Sequence, residues 1–248
     1  MLGFGTVFNI ATIVVGTLLG TLLGSKLSEK TNRTVTDSLG LITIVLGGLN
    51  LMSLSDSAYV KAVTSAGTFF IVIFAVLFGG IAGSLLKIED RLEGFGGWLQ
   101  SRFSKKSQGA ESRQRFITGF VDASLIFAIG PMAILGSMSD GLGQGSNTLV
   151  VKSILDGFAS IAFAASLGWG VAASAITVGI WQGLLTAVAY FGGSGIPDAM
   201  IASITATGGI LMLGIGLRLL NLRKVAVADM LPALVLAPLF TWLVSSIL

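Results

Sequence analysis

The chain has 248 residues, 53% of them apolar and 11% charged, with a mean hydropathy of +0.91. A water-soluble domain carries about 25% charged residues, so this composition cannot cover a water-facing surface and the soluble globular class is excluded. Cys and His are both absent, which removes thiol chemistry, disulfides, imidazole bases, haem ligation through His and ordinary zinc sites. No metal and no cofactor is therefore expected. The formal net charge of +3 is small and localised, which speaks for membrane orientation rather than for nucleic acid.

Apolar runs bounded by charged or turn residues predict eight spans, near 4–24, 36–53, 63–86, 116–138, 149–167, 171–191, 200–217 and 226–247. The expected fold is all-α and polytopic, one integral membrane domain over 1–248, with seven spans or a broken-helix variant as the alternative. The first run begins at Leu2 without a basic leader, so it reads as a retained span. Within it Gly16, Gly20 and Gly24 form a tandem GxxxG ridge. Such a ridge is a helix-contact signal, used inside the protomer or across a homodimer.

The loop over 87–115 repeats Ile88, Leu92, Phe95, Leu99 and Phe103 at helical spacing with charges between them. That pattern predicts an amphipathic helix in the cytoplasmic interface, which Gly94, Gly96 and Gly97 should weaken. The polar, basic stretch 104–112 reads as a linker and orientation signal. Thirteen of the fifteen basic residues lie in the loops after spans one, three and seven; only Lys61 and Lys152 fall on the other side. By the positive-inside bias those three loops face the cytoplasm of a bacterial inner membrane, both termini lie outside, Ser107 is cytoplasmic and Ser194 external.

Two self-similarities suggest inverted repeats. A shift of 169 places Gly40 on Gly209 and Gly47 on Gly216, and a shift of 36 places Ala123-Ser124 and Phe127-Ala128 on Ala159-Ser160 and Phe163-Ala164. Both pairs join spans that run in opposite directions, as inverted-topology repeats require. Gly/Ala-rich helices also align by chance.

Asp122, Asp140, Asp156 and Asp229 lie within or beside spans. An ionised carboxylate in hydrocarbon costs at least about 2.5–3.5 kcal/mol, so it faces a bundle interior, water, a partner or the interface. Lys152 and Asp156 are four apart on one helical face and can pair. Ser124 precedes the break Gly130-Pro131. Pro131 leaves the carbonyl of Phe127 without its helical donor, either as a packing kink or as a liganding broken helix. Asn9 and Gln182 place amides inside spans, suited to neutral or zwitterionic ligands or to interhelical bonds. The glycine-rich run 140–145 lacks the Lys and strand of a nucleotide cradle and reads as an external turn.

The central run Phe120-Val-Asp122-Ala-Ser124-Leu-Ile-Phe-Ala-Ile-Gly130-Pro131, continuing to Asp140-Gly141, resembles the YdfK/YqgA family of bacterial membrane proteins, as do Lys152-Ser-Ile-Leu-Asp156-Gly157, Gly5-Thr-Val-Phe-Asn9, Gln182-Gly183 and Gly208-Gly209. The resemblance implies a multi-span inner-membrane protein and carries no catalytic role. The residues themselves point to a transporter or channel for a small solute or ion, lined by spans four to six through Asp122, Ser124, Gly130, Pro131, Asp156, Ser160, Asn9 and Gln182. The alternative is a scaffold or sensor subunit that uses loop 87–115 as its contact surface. No enzymatic motif is present, which leaves an intramembrane aspartyl hydrolase unsupported.

Overall fold

The computed structural model describes residues 2–103, 110–192 and 196–247. Ser107 and Ser194, expected on opposite sides of the membrane, lie outside them. The helices are α1 (Phe4–Gly24), α2 (Glu29–Leu51), α3 (Ser57–Val63), α4 (Ser65–Leu85), α5 (Ile88–Phe103), α6 (Ala110–Ala128), α7 (Pro131–Gly141), α8 (Asn147–Leu167), α9 (Gly170–Gly192), α10 (Asp198–Leu219) and α11 (Ala233–Ser245). No strand occurs among the described residues. Among the described residues seven helices are long and apolar enough to cross a membrane, or eight crossings if α6 and α7 form one bent span. Their outward faces are apolar: Val7, Leu18 and Leu22 on α1, and Phe70, Phe74, Phe78 and Ile81 on α4, are all exposed. So much contiguous exposed apolar surface fits lipid and not water. The protein is an all-α, multi-pass membrane protein.

The chain divides into two compact units, each assembled from separated stretches. The first comprises Met1–Leu39, Leu92–Ala128 and Met132–Gly195; the second comprises Gly40–Arg91, Ile129–Pro131 and Ile196–Leu248.

In the first unit α1 runs beside α8 with backbones nearly touching. A Cβ on Gly16 would collide with the carbonyl of Gly157, on Gly20 with that of Ile161, and on Gly24 with that of Ala165. The three positions advance together along both helices, so the pair is parallel. Between membrane helices lipid supplies no hydrophobic drive, and close backbone packing of small residues holds them together instead. The ridge that could have served a homodimer is thus covered by α8 of the same chain. On the other side, Gly170 of α9 meets the carbonyl of Phe116 on α6, and Ser124 donates to Thr177 Oγ1 at 3.2 Å. Phe127 and Phe163 stack edge-on, ring centroids 6.0 Å apart, so spans four and five meet at the Phe-Ala segments.

α5 forms over Ile88–Phe103 despite its glycines, two of which, Gly96 and Gly97, serve as packing surface. Gly96 lies against the Phe120 ring and Gly97 against the Arg113 side chain, while Leu99 is buried. The expected weakening is offset by this contact with α6.

In the second unit α2 and α10 are antiparallel. Gly40 faces Gly216 and Leu220, and Gly47 faces Gly209, so the glycines paired by sequence also approach each other crosswise. α4 and α11 pair likewise, Gly79 on Ala233 and Gly83 on the Asp229 carbonyl.

Three sequence expectations are corrected here. Span four is broken: α6 and α7 meet at 63°. Gly130 takes φ 150°, which a side chain would strain, and Pro131 starts α7, where its missing N–H costs nothing. The last span runs over Ala228–Ser245, shorter than 226–247, and opens on a 3-10 turn at Ala228–Met230 before α11 begins at Ala233. Asp229 stands at the very start of that span, where its Oδ1 accepts the Glu89 N–H at 2.8 Å and caps α5. Glu89 returns the contact by accepting the Ala228 N–H at 2.7 Å and pairing with Arg218. Finally, α3 occupies a stretch read as loop. Its Tyr59 is enclosed by Val63, Ile71 and Ala202, and burial pushes the Tyr59 hydroxyl up to about 12, keeping it a neutral donor to the Thr68 carbonyl.

Candidate functional site

The polar residues of the first unit converge on the contacts among α1, α7, α8 and α9. Asn9 is fully buried on α1, and its Nδ2 donates to Asp156 Oδ2 on α8 at 3.0 Å. Lys152, one turn earlier on α8, forms an ion pair with the same carboxylate oxygen. The pair is almost wholly enclosed, with side chains 8% and 11% exposed. Neutralising each other is the condition on which both can leave water. Asn9 also fixes which oxygen of Asp156 faces α1.

Asp140 closes α7 and reaches back to α1, its Oδ2 accepting the Gly5 N–H at 3.2 Å. That amide belongs to the first turn of α1, where unpaired N–H groups and the helix dipole favour an anion. Gly5 and Gly136 both press on Leu149, which brings the start of α8 to the same place.

Gln182 on α9 is the least satisfied group of the set. It is fully buried, and neither Oε1 nor Nε2 has a hydrogen-bond partner among the described residues. One turn before it Gly179 meets Ile10 of α1; one turn after it the carbonyl of Thr186 meets Gly141 of α7. Gln182 therefore sits between the α1 contact, next to Asn9, and the α7 contact, next to Asp140. Thr6, Ser137 and Thr186 add buried hydroxyls without partners among the described residues, and Asn9 keeps Oδ1 unpaired there. Burying a polar group without a hydrogen bond costs about 1–3 kcal/mol on protein scales.

Of the residues expected from sequence, Asn9, Asp156 and Gln182 stand on this one stretch of helix contacts. Ser160 lies beside the α1 ridge, opposite Gly16. Asp122 is fully enclosed on α6, and Ser124 is committed to Thr177. Gly130 and Pro131 fall in the second unit and supply the bend. Asp140, Ser137 and Thr186 were not among the expected site residues. Their signal was helical spacing: Ser137, Asp140 and Gly141 share one face of α7, and Gln182 and Thr186 one face of α9. No group of three or more acidic residues that could hold a metal occurs among the described residues.

The chain matches the family described as "Protein of unknown function (DUF554)" over residues 4–242. It is 30% identical to the "Uncharacterized membrane protein YdfK" of Bacillus subtilis (strain 168) over 243 residues, covering 97% of this chain and 96% of that protein. It is 28% identical to the "Uncharacterized protein YqgA" of Escherichia coli (strain K12) over 233 residues, 94% of each chain. No solved structure matches. The protein belongs to the DUF554 family.

Proposed function

We propose that this member of the family is a non-enzymatic transporter or channel for a small solute or ion, with its pathway through the polar core of the first unit. The observation that carries the reading is Gln182, a fully buried amide with both polar atoms unpaired, set between Asn9 and Asp140. A structural glutamine in a helix bundle would bond across to a neighbour; this one keeps two donors and an acceptor for something else. The Lys152–Asp156 pair beside it supplies charge that a passing ion or proton can exchange with. The basic bias of the loops supports an inner-membrane location with both termini outside. The crosswise glycine contacts of α2 and α10 support the inverted-repeat reading.

The test is flux. Purified protein in liposomes is offered potassium, sodium, protons, glycine and glycerol as separate probes. Movement of at least one probe above empty vesicles is expected, reduced in Gln182→Leu, which removes the unpaired amide at nearly constant volume. No movement of any probe, or full flux of the transported probe in that variant, would overturn the proposal.

A further inference from the structure

A second feature of the first unit lies away from the polar core. A cavity of about 270 Å³ opens where α1 and α8 end and α9 begins, lined by Thr21, Ser25, Ser112, Arg115, Phe116 and Trp169 among others. α1 and α8 each have 21 residues, about 30 Å of helix and therefore one hydrocarbon thickness. Their common end is the depth of lipid headgroups. Arg115 is fixed there: its Nε donates to the Ser166 carbonyl at 2.7 Å and its Nη2 to the Ala165 carbonyl at 3.4 Å. These bonds cap the last turn of α8 and orient the guanidinium, yet they leave its Nη1 uncommitted among the described residues. The turn from α8 to α9 is only Gly168 and Trp169, made possible by φ 77° at Gly168. It places the N-terminal end of α9, with its favourable potential for anions, beside the same cavity. Trp169 is 54% exposed, as suits an indole at a membrane–water interface.

We infer that this cavity binds the phosphate of an anionic phospholipid, with Arg115 holding the phosphate, the hydroxyls of Ser25 and Ser112 bordering the headgroup, and Phe116 and Trp169 lining the acyl side. An oriented guanidinium suits phosphate geometry, and the mixed lining suits an amphiphile better than a free ion. The site stands apart from the proposed pathway, so its test needs no transported solute.

The experiment is thermal unfolding of the full chain in detergent with phosphatidylglycerol, phosphatidylcholine or inorganic phosphate added, together with native mass spectrometry of retained lipid. Phosphatidylglycerol should raise the unfolding temperature by about 5 °C at saturation and remain bound, whereas the other two should do neither. Arg115→Gln should abolish the effect. Because that change also uncaps α8, Ser25→Phe serves as the second variant. It blocks the cavity and leaves Arg115 in place, so it should unfold like the wild type without lipid and lose the response to lipid. Equal protection by phosphatidylcholine, protection by inorganic phosphate alone, or an undiminished lipid response in Ser25→Phe would overturn the assignment.

Discussion

The two halves of the α1–α8 contact use the same pair of helices for opposite ends. From Gly16 to Gly24 the seam is backbone against backbone, closed by glycines facing Gly157, Ile161 and Ala165. From Gly5 to Asn9 it carries an asparagine, an ion pair and a helix-capping aspartate, bordered by a glutamine with nothing to bond. The first half spends its residues on adhesion, where any side chain larger than hydrogen intrudes. The second half accepts unsatisfied polarity that the first half must hold together. The amides and charges lie about two helical turns from the glycine ridge, which itself holds only the small hydroxyls of Thr17 and Ser160, and the rigid half positions the charged half.

The sharpest way to break the comparison is to unbalance the ion pair. Lys152→Met leaves Asp156 buried with only Asn9 for support, and should destabilise by about 3–5 kcal/mol in detergent unfolding. The double variant Lys152→Met/Asp156→Leu should recover most of that loss. A single variant as stable as the wild type would mean that Asp156 reaches water or holds a proton.

Next in size is the seam. In Gly20→Leu the new side chain must displace the Ile161 carbonyl and the Ala164 methyl, which a Cβ alone would meet at 2.9 Å. A loss of about 3 kcal/mol, toward the upper end of overpacking effects, is expected. Unchanged thermal stability would show that the ridge does not pack on α8.

Gln182→Leu should have the opposite sign. It removes two unpaired polar atoms from a buried position at nearly constant volume, and stability should rise by about 1–3 kcal/mol. Its neighbour sharpens the point. Gly183 has nothing within 4 Å of where a Cβ would stand, so Gly183→Ala should add only about 0.5–1 kcal/mol through helix propensity. A stabilisation of Gln182→Leu no larger than that of Gly183→Ala would indicate that the amide is already satisfied.

The spans were legible wherever lipid dictates an uninterrupted apolar run: span one, predicted at 4–24, is α1 at Phe4–Gly24. Legibility failed where polar segments become helical by tertiary contact. α2 starts at Glu29 because its polar first turns pack on α8, Thr36 bonding Ser166. The glycines of α5 look like helix breakers until Phe120 and Arg113 are seen to need the space. Asp229 was legible as a carboxylate at the start of the last span, but not as the cap of α5, because its partner is the Glu89 amide far back in the chain. At the site, Asn9, Asp156 and Gln182 were visible because amides and carboxylates are conspicuous in apolar runs. Asp140, noticed as a carboxylate beside a span, stayed outside the expected pathway because its partner, the Gly5 amide, stands 135 residues away and backbone donors leave no mark in a sequence.

The most direct test of the central claim is the flux of Gln182→Leu in proteoliposomes, measured with the probe that the wild type moves and beside Gly183→Ala as control. A pathway through the polar core requires that Gln182→Leu be as well folded as the wild type, or better, and yet lose most of its flux, while Gly183→Ala keeps it. A stable Gln182→Leu protein with wild-type flux would contradict the account.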